Sequence, residues 1–359
     1  MNSATPPSPA RLGYLDLLRG FFILVMIEGH TLRLFLSPET QETAAFRYQE
    51  LIHNLTGPVF LFAAGAAFVY SSFPRWEVCR RWSPPLRRRL LRWTGVLVAG
   101  YALQLTFPTL RRTLAEGTPE QLAYLLSLNI LQCIVYSLLL LQCLLRLAPD
   151  QRWFFRATLL GAAVLALPAP LAWDYGRHLP VWLAPLLSGN TRSIFPLFPY
   201  AAYAMAGAAW GYRHLLARGR DAEEAYLRQS CWYAAALSAG ASLPLLLQPH
   251  PASREFWETS PLAFLLRTGG LVFLAAAARL RESRLLPRWQ WLAATGEQSL
   301  LIYVAHLLIL YGSAFNPDTS LRKALGVPLP LAETLLVSLL FGAAMTGLAL
   351  GWNWWSKNH

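Results

Sequence analysis

Apolar residues dominate this chain in continuous runs of about 20, separated by arginines, prolines and aromatic rings. Ten runs stand out, at 13–36, 55–73, 90–108, 122–146, 154–173, 194–213, 230–248, 260–280, 298–314 and 331–352. A helix crosses the hydrocarbon layer in about 20 residues at roughly 1.5 Å each, so every run is a candidate span. The runs are continuous rather than alternating every second residue, which predicts helices and argues against a membrane barrel. The pattern therefore predicts an all-α polytopic integral membrane protein of about ten transmembrane helices. It reads as a single domain over residues 1–359, with a short cytoplasmic N-terminal segment at 1–12. The connections at 37–54, 174–193, 249–259 and 315–330 are the longer ones, yet none is long enough for a separate soluble domain. No internal repeat is evident.

Charge then orients the spans. Loop 74–92 holds Arg75, Arg80, Arg81, Arg87, Arg88, Arg89 and Arg92, and its alternate partners at 146–156, 213–228 and 279–288 are also arginine-rich. Together they carry eighteen basic residues against eight on the opposite side. Because lysine and arginine collect in cytoplasmic loops, both termini are expected in the cytoplasm. The same asymmetry accounts for a net charge of +12 without nucleic acid. Only 14% of residues are charged, where a soluble domain has about a quarter. Trp173, Tyr175, Trp182, Trp352, Trp354 and Trp355 cluster at span ends, as interface anchors do. Cys79, Cys133, Cys143 and Cys231 show no metal-ligand spacing and read as small packing residues, so no metal is expected. No cleavable leader is expected in Met1 to Arg11.

The first run departs from a plain span. Gly13 to Leu36 contains Asp16, Arg19, Glu28 and His30. Such groups cost at least roughly 2.5–3.5 kcal/mol each for Asp or Arg at membrane depth, so they mark function more often than chance. At 100° per residue, Asp16, Arg19, Ile23, Met26, His30 and Arg33 share one stripe, while Glu28 points nearly the other way. Asp16 and Arg19 are spaced to pair. Arg19 and His30 lie eleven residues apart, about 16 Å along one face. A cation toward one side and an imidazole toward the other would line one continuous passage.

The run RLGYLDLLRG from Arg11 to Gly20, followed by Met26 and His30, resembles the opening signature of membrane acyltransferases. These are the heparan-α-glucosaminide N-acetyltransferase-like proteins and acyltransferase family 3. Both place an Arg and a His ten intervening residues apart on the first span. GPVFLFAAG (Gly57 to Gly65), SIFPLFPYAAYAMAG (Ser193 to Gly207), SPLAFLLRTGG (Ser260 to Gly270) and GEQSLLIYVAH (Gly296 to His306) are similar to later motifs, in order. Glu297 departs from the usual basic or neutral residue. The resemblance implies a membrane-bound O- or N-acyltransferase that moves an acyl group, acetyl first among them, from cytoplasmic acyl-CoA to a sugar or related acceptor on the other side. It implies a multi-pass protein of a cell membrane, the bacterial inner membrane. The bilayer, acyl-CoA and a carbohydrate-type acceptor are the expected partners, and an oligomer is compatible with them.

Acyl transfer needs a base for the acceptor or a nucleophile to hold the acyl group, and histidine serves for either. His30 is thus the expected catalytic residue, with Arg19 and Asp16 fixing donor and geometry. Arg87, Arg88, Arg89 and Arg92 are expected to bind the donor's phosphates, although topology and anionic lipid account for them equally well. Arg267, His306, Glu28 and His53 are expected around the acceptor. For Arg267 a structural pair with Glu28 is the alternative, and for His306 a helix–helix hydrogen bond. Asn129 and Gln132 are expected to share a face of the fourth span as interhelical amides. The rival reading is a transporter or flippase of a lipid-linked or small anionic solute, with the charged stripe lining its pathway.

Overall fold

The computed structural model describes residues 12–247 and 254–358. Arg11, the segment before it, Gln248 at the end of the seventh run and 249–253 of the third longer connection lie outside the described residues, as does Arg254's side chain. All regular structure among the described residues is helical. The first half contains α1 (Gly13–Phe35), α2 (Ala44–His53), α3 (Thr56–Ser72), α4 (Pro84–Ala102), α5 (Ile130–Leu147) and α6 (Gln151–Ala166). The second contains α7 (Leu197–Ala217), α8 (Glu223–Leu247), α9 (Pro261–Leu280), α10 (Glu282–Arg288), α11 (Gln290–Glu297), α12 (Ser299–Tyr311) and α13 (Leu331–Asn358). Shorter helices lie in the connections.

Each of the ten apolar runs contains a helix. Four stretches among the described residues are both long and apolar enough to cross a membrane: Ala44–Arg80, Ile130–Leu147, Pro261–Leu280 and Leu331–Asn358. Two bent pairs raise that to six if each is one span. Gln151–Ala166 meets Ala169–Gly176 at 50°, and α11 meets α12 at 77°. α1 is long enough, at 23 residues, but carries Asp16, Arg19, Glu28 and Arg33.

Two expectations are corrected here. The fourth run is not one helix: a short helix Pro119–Leu126 ends at Ser127, and α5 starts at Ile130 with Asn129 as its N-cap. Ser and Asn compete for backbone hydrogen bonds and so favour helix ends. Asn129 therefore shares no helical face with Gln132, whose amide donates to Gln104 instead. The ninth run begins at a corner, Gln298, so the motif Gly296 to His306 crosses that corner rather than lying on one straight helix.

α1 is the hub, touching α2, α3, α9, α10, α11, α12 and α13. Its crossing with α11 is made backbone to backbone. A Cβ on Gly20 would lie 1.9 Å from Leu292 O, and one on Gly296 1.9 Å from Asp16 O. The main core gathers α1, α3, α5, α6, α7 and α9 around Tyr14, Phe62, Tyr203 and Phe154. A second cluster packs Ile23, Met26 and Ile27 of α1 against Ile302, Phe341 and Met345.

Candidate active site

The two ends of α1 carry different chemistry. Near its C-terminal end three imidazoles converge. The His30 ring lies 5.4 Å from that of His306 on α12 and 5.6 Å from that of His53 on α2, between ring centres. Gly29 admits His53, because a Cβ there would sit 1.9 Å from His53 Nδ1.

Hydrogen-bond partners fix the tautomers. The hydroxyl of Tyr311, on α12, donates to the His30 carbonyl at 3.3 Å, which leaves its oxygen to accept from His30 Nδ1 at 3.1 Å. His30 Nε2 then holds a lone pair. His306 Nδ1 donates to Ile302 O at 2.9 Å, since a carbonyl only accepts. Its Nε2 also holds a lone pair; it is buried and has no hydrogen-bond partner. His53 differs. Arg33 donates to its Nε2 at 2.9 Å, so its proton sits on Nδ1, facing Val25 O at 3.5 Å. Glu50 clamps Arg33 with two bonds of 2.8 and 2.6 Å. Two imidazoles therefore offer basic nitrogens side by side, and the third is occupied.

Toward its N-terminal end, α1 presents Asp16 and Arg19, paired at 2.5 Å. Arg19 lines a cleft of about 430 Å³ with Tyr70, Ser71, Arg218 and Glu297. A second cleft, of about 600 Å³, shares Ala67 and Ser71 with the first and is lined by Arg75, Arg88, Arg89 and Arg92. Arg89 donates to Ser72 Oγ at 2.9 Å, Ser71 Oγ at 3.2 Å and Gln142 Oε1 at 3.3 Å, and lies over the Phe68 ring. All these partners are neutral. No carboxylate pairs with Arg88, Arg89 or Arg92 among the described residues, so the cleft has positive charge to spare for an anion. Arg87, exposed as Arg75, Arg88 and Arg92 also are, does not line this cleft.

Arg267 has Tyr203 and Tyr200 of α7 and Glu258 for neighbours. Glu28 accepts from Gln49 Nε2 at 2.6 Å, so it does not pair with Arg267. The open passage along α1 is also corrected. Ile23 and Met26, midway on the stripe, are packed in the second hydrophobic cluster. Arg19 and His30 thus have separate immediate surroundings.

A closed ring of polar side chains lies behind the Arg19 cleft. Tyr14 and Tyr70 hydroxyls meet at 3.1 Å, and Tyr70 bonds His214 Nδ1. His214 Nε2 reaches Glu223 Oε1 at 3.1 Å, and Arg279 reaches the same oxygen at 2.7 Å. Arg279 bonds Glu282 at 2.8 Å, and Glu282 accepts from the Tyr14 backbone N–H at 3.0 Å. Burial acts to raise the Glu223 carboxyl, but the Gly219 N–H, His214 and Arg279 outweigh it and hold its pKa below the ordinary value. Neither this ring nor Tyr311 is evident from the sequence. His214 and Tyr70 look like span-end polar residues, and Tyr311 like an interface anchor; apart from Glu223, nine positions from His214, their partners lie 56 to 281 positions away.

An all-helical membrane protein with arginine-lined clefts at one end of its hub helix and paired basic imidazoles toward the other has the parts of a transferase. Comparison with protein families gives a definite match: the model for heparan-alpha-glucosaminide N-acetyltransferase, catalytic, aligns with residues 11–247 of the 359. The chain belongs to this family and is an acetyltransferase-type membrane enzyme. His306 lies beyond the matched residues. No curated protein matches the sequence.

Proposed function

We propose that this protein transfers an acyl group, acetyl first, from cytoplasmic acyl-CoA to a sugar hydroxyl or amine presented outside, in a bacterial inner membrane. In this reading ten spans form one domain with both termini inside. Arg88, Arg89, Arg92 and Arg75 take the donor's phosphates, since guanidinium forks match phosphate oxygens. Arg19, steadied by Asp16, meets the donor's arm in the adjoining cleft. The arm reaches His30 when the Ile23–Met26 layer parts; Met26 is unbranched and adaptable.

His30 Nε2 attacks the thioester carbonyl, the C–S bond breaks, and the thiolate leaves behind an acyl-imidazolium that keeps its Nδ1 proton; the thiolate's own proton is the one His306 later takes from the acceptor and releases to solvent. The acceptor then attacks the acyl-imidazolium. His306 Nε2 takes the acceptor's proton as the new C–O or C–N bond forms, and the C–N bond to His30 breaks. The observation that carries this reading is the pair of adjacent imidazoles whose Nε2 atoms both hold lone pairs. His53, occupied by Arg33, positions the pocket with Glu28 near the acceptor's path. Arg267 is assigned to acceptor contacts on the strength of a cation held deep in α9.

The test is a single-turnover assay with radiolabelled acetyl-CoA and purified protein. His30→Ala is expected to form no labelled enzyme. His306→Ala is expected to form it and to discharge it to acceptor about 10²–10⁴-fold more slowly, the usual share of a general base. A His30→Ala enzyme that still transfers acetyl removes His30 from the chemistry.

A further inference from the structure

Two grooves beside α6, α7, α8 and α9 meet at one arginine. The first, about 450 Å³, runs between α6, α7 and α9 past Leu159, Ala163, Ala206 and Leu167. The second, about 470 Å³, lies between α8 and α9 beside Ser230, Ala234 and Gly269. Arg213, Tyr226 and Val272 line both. The walls are mostly apolar, which suits hydrocarbon. The second groove adds the polar side chains of Tyr226, Gln229, Ser230 and Tyr233, and three further polar groups stand out. Arg213 is exposed at the junction and makes no hydrogen bond or ion pair among the described residues. Trp210 Nε1 and Thr268 Oγ1, from residues lining the first groove, are buried without a hydrogen-bond partner.

Most buried polar groups in a folded protein have a partner, so two unpaired donors in residues lining one groove mark it as a place where an acceptor could be taken up. Their depth orders the ligand. Arg213 is at the arginine-rich end of α7, and Trp210 lies one turn, about 4.5 Å, further into the hydrocarbon. A phosphate, then ester carbonyls, then two acyl chains is the sequence of groups in a glycerophospholipid. Neither groove by itself would distinguish such a ligand from bulk lipid; their convergence on an unpaired guanidinium above unpaired donors does.

We propose that these grooves form a specific site for one two-chain anionic phospholipid. Its phosphate sits on Arg213, an ester carbonyl accepts from Trp210 or Thr268, and one chain lies in each groove. The site has a line to the donor cleft. The Trp210 ring stacks on His214 with centroids 5.1 Å apart, and His214 holds Tyr70, which lines that cleft. The proposal rests on the membrane location alone and not on which residue carries the acyl group.

Full-length protein purified in mild detergent would be extracted and its phospholipids counted by mass spectrometry. The expected result is about one retained lipid per chain, enriched in anionic headgroups over the membrane it came from. Arg213→Gln, at an exposed position, is expected to lower the preference for phosphatidylglycerol over phosphatidylcholine about fivefold, the share of one basic residue at an anionic surface. Ala163→Leu with Ala206→Leu, both growing into the first groove, is expected to abolish retention. Arg220→Gln, in the neighbouring loop but outside the grooves, is expected to change neither. In nanodiscs, phosphatidylglycerol with brominated chains is expected to quench the emission lost in Trp210→Phe more than brominated phosphatidylcholine does. Retention indifferent to the groove-filling pair, or equal preference for both headgroups in the unaltered protein, would overturn the site. Because these readouts contain no acyl transfer, an inactive His30 variant leaves them standing.

Discussion

At the scale of residues, the candidate site turns on proton placement. Tyr311 both donates to the His30 carbonyl and accepts from its Nδ1, so one hydroxyl sets which imidazole nitrogen is basic. Tyr311→Phe keeps the ring and removes that instruction. Losing a hydrogen bond worth about 1 kcal/mol, part of it in the reacting tautomer, is expected to lower kcat roughly 5–10-fold with KM for acyl-CoA unchanged. Steady-state kinetics with the two substrates varied separately would check it. An unchanged kcat would return Tyr311 to the role of interface anchor. Helical periodicity alone placed Asp16, Arg19 and His30 on one stripe, because spacing along a single helix is a local property. The convergence of His53 and His306 on His30 is not local. His53 ends a helix in a connection outside the apolar runs, and His306 follows a corner between α11 and α12 that the motif Gly296 to His306 crosses.

At the scale of elements, two contacts hold α1 against its neighbours. Gly296 brings α11 onto α1 so closely that a methyl group would meet Asp16 O at 1.9 Å. Backbone cannot yield as a flexible side chain does, so Gly296→Ala is expected to destabilise by about 1–3 kcal/mol and to displace the Asp16–Arg19 pair. Thermal unfolding and the KM for acyl-CoA would report the two effects together. The second contact is the polar ring through Glu223, at the start of α8. Its carboxyl is depressed below the ordinary value, so the unfolded chain binds its proton more readily than the folded one. The stabilisation is complete above the ordinary glutamate pKa, about 4.3, and is lost as pH falls through the depressed value. Glu223→Gln is therefore expected to lower stability at neutral pH and to flatten its decline in acid; thermal midpoints between pH 7 and pH 3 would show it. Most elements were legible from hydropathy, since burying about 20 apolar residues in lipid demands a helix. The break at Ser127–Asn129 was not, because a mean over a window averages away one or two residues that favour caps.

At the scale of the whole molecule, the arginines serve two ends. Counted along the chain they predict orientation, and nothing in that count separates a topology signal from a ligand site. The fold divides them: Arg88, Arg89 and Arg92 line one cleft with Arg75, and Arg87 lies outside it. Arg89 is the most telling of these. It is half-buried, held by hydroxyls and an amide, and faces no carboxylate, an arrangement that topology does not require. Arg89→Gln removes one charge among eighteen on that side, so orientation is expected to stand. A charge-assisted hydrogen bond is worth about 1.5–3 kcal/mol, so KM for acyl-CoA is expected to rise roughly 10–100-fold with kcat little changed. Arg87→Gln, one position from Arg88 on the exposed face, is expected to leave KM within about twofold and so controls for charge alone. Cysteine labelling with a membrane-impermeant reagent, at Thr40 in one loop and Trp82 in the next, would confirm that both variants keep the orientation of the parent. Equal effects of the two substitutions on KM would make the arginine-rich surface a diffuse electrostatic attractant for the donor. A rise confined to Arg89 would place the donor's phosphates in the cleft.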